Sequence, residues 1–569
     1  MNVLIKNTVL TILTLVPLVF IWTTDSLGLA NLIAPLQTVE YHRVLGSGVD
    51  FLKILLMLDI LLILFLYLAI NKQILSRLNI SSPLKRFSDL NYSEATFTGV
   101  ICLCAIVSFA LTLRILHLNS GLWIDEYLTL INYVKPNFGF IATNFEDDNQ
   151  HLLFSILAKI STLYFGEAPW SLRLPAMIVG VLSIISVYNL GRLVFTEKIG
   201  LLAAFLLCVS YHHIWYSQNA RGYTILLLGT VLSAHFLLKS LDKNKTRDWL
   251  LFSVSLTICV TGHLTGIFVG LSYFLFVTLL LAITRPTYIS YVKPLVAFGL
   301  AALLTLHSFA LMIPQMLQFF STKNVKSEAL ITEEWKNPLW AISEIFAQIG
   351  IPTGIGWNSL IGISIITIIF GLFLFRRHPS FFCIAVIPAI LTVLVMLLLS
   401  RNLWPRLIFN IAGFITIFLS ILAYILYEKL ANSNFFLLHK FRLLPIILLC
   451  VAFSANTLDV YSSPKQDFSS ALQFIDNTTD ESDTIVALHV AGKIFNQYYG
   501  RKWSVVNSLE EFTPYVRYSG RVWVVYTLPN YVRVSKPELH KILHEEFQHV
   551  HTFPASLGDG EIIIVKSKS

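Results

Sequence analysis

The chain has 569 residues, of which 55% are hydrophobic and only 13% charged, where an ordinary soluble domain carries roughly 25% charged residues. That much apolar surface exceeds what a soluble core buries, and the wealth of aliphatic and aromatic side chains excludes a disordered chain. The formal charge of +8 does not point to nucleic acid, because Lys and Arg cluster in short segments between apolar stretches, the pattern that sets membrane topology.

A bilayer is crossed by about 20 apolar residues in a helix, and only helices and closed barrels satisfy their backbone there. Thirteen stretches qualify: 3–23, 51–70, 97–117, 173–195, 199–215, 222–241, 248–263, 265–284, 294–313, 357–376, 380–400, 407–428 and 443–460. The expected fold is therefore a polytopic α-helical membrane protein. The first stretch looks like a signal peptide but lacks a small-x-small cleavage site, so it is expected to remain as a span. Asp59 lies near the middle of the second. Mid-membrane carboxylates are functional by default, yet Lys53 is about a turn and a half away, and a paired structural residue is expected. Residues 248–284 are one apolar stretch broken at Thr261-Gly262-His263-Leu264-Thr265-Gly266, where two short helices should meet.

Threading thirteen spans puts the basic loops on one side: Lys72, Arg77, Lys85 and Arg86; Arg192 and Lys198; Lys239, Lys243, Lys245 and Arg247; Arg285 and Lys293; Arg376 and Arg377; Lys429, Lys440 and Arg442. The positive-inside rule makes that side cytoplasmic. Loops 118–172, 314–356 and 401–406 and the tail after 460 then lie outside. Three divisions follow: 1–96, two helices and a basic cytoplasmic loop; 97–460, the main membrane domain; and 461–569, a small extracytoplasmic α/β domain. The tail carries strand-like runs at Thr484–Leu488, Val522–Tyr526 and Glu561–Val565 with helical patterns at Ser469–Asn477 and Pro537–Glu546. The six Cys all sit in apolar segments without metal or disulfide spacing.

Loop 118–172 holds the densest chemistry. It opens Ser120-Gly121-Leu122-Trp123-Ile124-Asp125-Glu126-Tyr127 and continues through Glu146-Asp147-Asp148-Asn149-Gln150-His151. Acidic pairs in loops are ordinarily just solvated. Here they sit beside the apolar segments 128–133 and 152–165, which suit the membrane interface. A carboxylate there could accept a proton from an attacking hydroxyl, and grouped carboxylates with a His could hold a divalent cation. Further clusters are His212–Tyr223, with Arg221 on the outer side, and Arg401-Asn402-Leu403-Trp404-Pro405-Arg406. Arg suits phosphate through its planar fork, although an Arg at a helix end also simply snorkels.

These residues resemble the GT-C glycosyltransferases, in the branch of protein mannosyltransferases, the lipid A aminoarabinose transferase and their bacterial relatives. The resemblance runs in order from about 97 to 460. It rests on Leu113-Arg114-Ile115 with Leu122-Trp123-Ile124-Asp125-Glu126, on Ser171-Leu172-Arg173-Leu174-Pro175, on His213–Tyr223, on Gly262-His263 and on Pro405-Arg406. It implies transfer of a sugar from a polyprenyl-phosphate carrier to a lipid, glycan or protein acceptor outside the cytoplasm, at the inner (plasma) membrane. Asp125 matches the catalytic base and Glu126 the neighbouring acid. Arg114, Tyr127, His151, Tyr216, Gln218, Arg221, Tyr223, His263, Arg401 and Arg406 fall at positions expected to contact substrate. Some members use a divalent metal (Mg, Mn or Zn), for which Asp125, Asp148, His151 and His263 are the candidate ligands. The chain departs from the family at Gln150-His151-Leu152, where "HPP" is usual, and at Asn219, where a Glu is usual.

No second carboxylate is placed as a nucleophile, so a single displacement with inversion is expected. A transporter or flippase of lipid-linked sugars is the alternative. It should show inverted repeats and charged or broken helices at mid-membrane. This chain has one mid-span Asp and no evident repeat.

Overall fold

The computed structural model describes residues 3–568 apart from 36, 72–89, 285–290, 327–369, 400–402, 435–438, 456, 463, 518–519 and 557–558. The expected span 357–376 and loop 314–356 therefore lie largely outside the described residues, as do Lys72, Arg77, Lys85, Arg86, Arg285 and Arg401.

The chain opens with helices α1 (Val3–Thr23), α2 (Ser26–Ile33) and α3 (Val39–Asn71). The first two meet at 93°. The bend follows from Asp25, whose carboxylate caps the second helix by accepting from the Gly28 amide. Asp59 of α3 does not pair with Lys53 as expected. The Lys53 ammonium turns instead to the Thr24 carbonyl and the Ser26 hydroxyl. Asp59 meets His307 Nε2 at 2.9 Å, on a helix about 250 residues further on in the sequence, so a partner outside its own helix was not readable from spacing.

Next come α4 (Phe97–Ile115), the loop helices α5 (Ile124–Tyr133), α6 (Phe138–Ile141) and α7 (Leu152–Phe165), and α8 (Pro169–Val194). Then α9 (Glu197–Val209) bends by 64° into α10 (Tyr211–Ser217). Ser210 stands at the bend and caps α10. The expected span 199–215 is thus a broken one, and the break turns Trp215 to Arg221 towards loop 118–172. After it follow α11 (Tyr223–Lys243), α12 (Thr246–Gly262), α13 (Gly266–Thr284), α14 (Val292–Phe309) and α15 (Ile313–Lys326). The interruption between α12 and α13 is the expected one, with His263 as the C-cap. Helices α16 (Pro379–Leu398), α17 (Ala412–Ala431) and α18 (Leu444–Ser454) follow among the described residues.

Among the described residues, eight helices are long and apolar enough to span, or ten if each bent pair counts once. The thirteen expected are not all matched. One continuous core joins α8, α9, α11, α12, α13, α16 and α17 through Ile184, Leu207, Leu227, Phe252, Tyr273, Phe381 and Phe414, while α18 buries no residue.

The tail forms a five-stranded sheet in the order β2-β1-β3-β5-β4. Its strands are β1 (Thr484–Leu488), β2 (Ser504–Val506), β3 (Val522–Thr527), β4 (Phe547–Phe553) and β5 (Ile562–Ser567). The first three are parallel, and β5 runs antiparallel to β3 and β4. Strand β3 is buried along its whole length. Helix α19 (Phe468–Thr478) extends the expected run by one residue at each end, and Pro537–Glu546 is helical as read. The strands β2 and β4 were not legible. One has three residues, and the other, FQHVHTF, is buried only at its ends.

Candidate active site

Asp125 and Glu126 stand in the first turn of α5, where the helix dipole favours negative charge. Consecutive residues in a helix point about 100° apart, so the two carboxylates leave in different directions and meet different partners.

Glu126 turns inward and is fully buried. Its Oε1 accepts from Arg173 Nε at 2.7 Å and from the Ala220 amide at 2.7 Å. Its Oε2 accepts from Arg173 Nη2 at 2.6 Å and the Trp123 amide at 3.3 Å. The Lys465 ammonium lies 4.0 Å away. Burial alone would raise the carboxyl pKa, but Arg173, Lys465 and the amide outweigh it and hold Glu126 below the ordinary carboxylate range. The rest of the Arg173 fork donates to the carbonyls of Leu118, Ser120 and Gly121, so one guanidinium fixes both the loop entry and the start of α5.

Asp125 turns the other way, and its side chain is 15% exposed. Arg406 Nη1 donates to its Oδ2 at 3.3 Å, and Arg221 Nη2 lies 3.8 Å from the same oxygen. Arg221 follows α10 and is buried. Its Nη1 donates to Asn149, its Nε has no hydrogen-bond partner among the described residues, and its guanidinium sits 5.8 Å from the Tyr223 ring centre. Arg406 is the second residue of the short 3₁₀ turn Pro405–Ile411, 5.1 Å from the Trp404 ring centre, and its side chain is 30% exposed.

The histidines stand next to this group. His151 is the N-cap of α7. Its Nδ1 faces the Gly262 carbonyl at 3.2 Å, which assigns the proton to Nδ1 and a lone pair to Nε2. That Nε2 is buried with no partner among the described residues. Burial, with Arg221 and His263 nearby, pushes the imidazole well below its usual range, so it is neutral at pH 7. The ring lies 4.7 Å from His263 and 5.6 Å from Tyr223. His263 accepts at Nδ1 from the Thr265 amide. Tyr216 packs on Tyr223 at 4.9 Å. Close backbone approach makes the cluster possible: a Cβ on Gly222 would lie 1.9 Å from the Gly262 carbonyl oxygen.

Three of the residues expected to contact substrate are bonded within the protein. Arg114 is fully buried between helices, and its donors go to the carbonyls of Ala110, Leu207 and Cys208, to the Ser217 hydroxyl and to His213. Gln218 donates to the carbonyls of Leu113, Arg114 and Leu116, which closes the end of α4. Tyr127 shares a hydrogen bond with the Tyr499 hydroxyl at 2.7 Å and packs on Phe468 and Tyr498 of the tail. In all three, side-chain polar atoms have partners within the protein. Asp125, Asp148, His151 and His263 do not form a metal centre either. Among the described residues no three His, Cys, Asp or Glu are grouped to hold an ion, and two guanidiniums stand at Asp125 where a cation would bind. Asp148 is exposed.

Arg173 and Asn149 stood in quoted motifs but were given no role, and Lys465 and Gln466 were not singled out from sequence. Arg173 carried a signal, an Arg in the first turns of an apolar span. Lys465 and Gln466 carried none. Gln466 Oε1 accepts from the Ile124 amide at 2.7 Å, while its Nε2 donates to Thr527 and the Gly560 carbonyl in the tail. Asn219, at the position where Glu is usual, accepts from Trp123 Nε1 at 3.1 Å.

Residues 149–320 match the family model described as dolichyl-phosphate-mannose-protein mannosyltransferase. No curated protein matches the chain. Among solved structures the chain is similar to ArnT from Cupriavidus metallidurans in the apo state, at 13% identity over 82% of this chain and 98% of that one, with a TM-score of 0.46. The same enzyme bound to undecaprenyl phosphate is similar at 13% identity, over 83% and 99%, with 0.46. The archaeal oligosaccharyltransferase AglB from Archaeoglobus fulgidus, in complex with an inhibitory peptide and a dolichol-phosphate, is similar at 12% identity, over 82% and 74%, with 0.48. The matched stretch carries Asn149, His151, Arg173, Arg221 and His263, and over it the chain resembles the protein mannosyltransferases.

Proposed function

We propose that the chain is a membrane glycosyltransferase that moves a hexosyl or pentosyl group from a polyprenyl-phosphate carrier to an extracytoplasmic lipid, glycan or protein acceptor. The observation that carries this reading is Asp125 between Arg406 at 3.3 Å and Arg221 at 3.8 Å, three groups drawn from distant parts of the chain to one point. The positive-inside pattern supports an inner (plasma) membrane protein with this point on the outer face.

The chemistry follows from the groups themselves. The acceptor hydroxyl attacks the anomeric carbon, the bond from that carbon to the phosphate oxygen breaks, and the hydroxyl proton passes to Asp125. The lipid phosphate leaves with one more negative charge. Arg221 and Arg406 neutralise it with donors already in position, which is the larger share of such catalysis. The Nε of Arg221 and Nε2 of His151, without partners among the described residues, are polar groups that bound substrate would satisfy. Glu126 is fully committed to Arg173 and serves to position the base. Among the described residues Asp125 is the carboxylate within ion-pair distance of both arginines, and the step is read as a single displacement with inversion. No step is routed through a metal ion.

The test is Asp125→Asn, assayed in membranes with polyprenyl-phosphate-linked sugars as donors. Loss of the base should lower transfer by about 10²–10⁴-fold. Full activity in that variant would overturn the assignment.

A further inference from the structure

A cavity lies at the opposite end of the bundle from Asp125, on the basic side. It encloses about 540 Å³ between α8, α11, the start of α12 and residues 92–95. On α11 its wall is built by Leu232, Phe236, Lys239 and Lys243, spaced at four, three and four residues and so on one helix face. On α8 it is built by Ser186, Asn189 and Arg192, again one face. Leu232 to Lys243 is eleven residues, or about 16 Å of helix. Polarity therefore changes along the depth: apolar and neutral at the inner end, cationic at the mouth, where Lys245 and Arg247 join.

The charges do not cancel. Five basic side chains line the cavity against Glu94 and Asp248. Asp248 faces Lys239 at 3.8 Å, and the Lys243 ammonium lies over the Tyr92 ring at 3.4 Å. Among the described residues no carboxylate comes within ion-pair distance of Arg192, Lys245 or Arg247. His235, on the same α11 face, keeps an Nδ1 without a partner among the described residues. The positive-inside rule accounts for basic residues on this side. It does not account for their convergence on a deep cleft with an apolar floor.

We propose that this cavity binds one anionic phospholipid of the cytoplasmic leaflet. Its phosphodiester sits at the mouth among Arg192, Lys245 and Arg247, and an acyl chain runs along the wall from Lys243 to Leu232. Basic pockets between spanning helices on this face recognise anionic headgroups. The shared chemistry is phosphate recognition, and the apolar floor favours a lipid over a soluble phosphate ester.

The test is native mass spectrometry of the full chain in detergent, titrated with phosphatidylglycerol or phosphatidylcholine. The wild type should retain phosphatidylglycerol in preference. Lys245→Gln with Arg247→Gln should weaken that retention roughly 30-fold, at about 1 kcal/mol per surface cation. Lys429→Gln with Arg442→Gln, which removes equal charge from exposed positions outside the cavity, should leave it unchanged. Leu232→Trp, which fills the floor without touching charge, should also lower it. Equal retention of the two lipids, an equal loss in both double variants, or no effect of the Trp would overturn the proposal. Displacement by inorganic phosphate as effective as by short-chain phosphatidylglycerol would overturn the lipid and leave a soluble phosphate as the ligand.

Discussion

An aspartate oxygen that faces two guanidiniums is occupied until something competes for them. A donor phosphate does so, since it offers more oxygens to the same forks, and its arrival would free Asp125 to take a proton. Arg406 is the more telling of the two cations because its side chain is 30% exposed, so its replacement should leave the fold intact. Arg406→Gln is expected to lower kcat/KM for the lipid-linked donor by about 10²–10³-fold, with unfolding temperature unchanged. Arg406→Lys should recover only part of it, because an ammonium cannot bind two oxygens in one plane. Steady-state kinetics on the purified variants would check both. At this scale the sequence was informative about residue type and silent about direction. Asp125, Arg221 and Arg406 were legible as charged groups beside apolar segments. Nothing in the spacing told Arg221, which faces the carboxylate, from Arg114, whose donors go to the carbonyls of Ala110, Leu207 and Cys208. Two of those acceptors, Leu207 and Cys208, belong to α9, which meets α4 only in the folded chain.

At the scale of elements, the site depends on how α5 begins. Its first turn is tied to α8 through Glu126 and Arg173, both fully buried. Removing one partner leaves the other charge buried without compensation, which costs about 3–5 kcal/mol. Glu126→Ala should therefore lower the thermal unfolding temperature and abolish transfer together. Asp125→Asn should lower transfer by about 10²–10⁴-fold and, with the Glu126–Arg173 pair intact, should lower the unfolding temperature much less. Differential scanning fluorimetry alongside the transfer assay separates the two. Most of the helices were readable because hydrophobic length sets them. The bends were not. Ser210 and Asp25 act through side-chain caps, and a cap in an apolar run looks like any other small polar residue. The break at His263 was visible because two glycines and two threonines interrupt the run together.

At the scale of the whole molecule, the tail is joined to the site. Trp123, Tyr127, Phe468, Phe495 and Trp523 share one core, and Lys465 and Gln466 reach back to the loop that carries Asp125. The sequence showed an α/β tail but no contact, because Ile124 and Gln466 are 342 residues apart. Lys465 makes this junction sensitive to pH. Its ammonium donates to the Gln218 carbonyl beside Glu126, and burial, only partly offset by Glu126, pushes its pKa down to about 7. In the unfolded chain the same group keeps its proton up to its ordinary value of 10.5. Between those values the unfolded state binds the extra proton, so stability rises with pH. Below pH 7 the charged form must be buried, and the cost is at its largest. The unfolding temperature of the intact chain should climb between pH 6 and pH 9. Lys465→Met keeps the apolar stem and removes the titration, so its curve should be flatter across that window. An identical rise in the variant would show that the junction does not respond through Lys465.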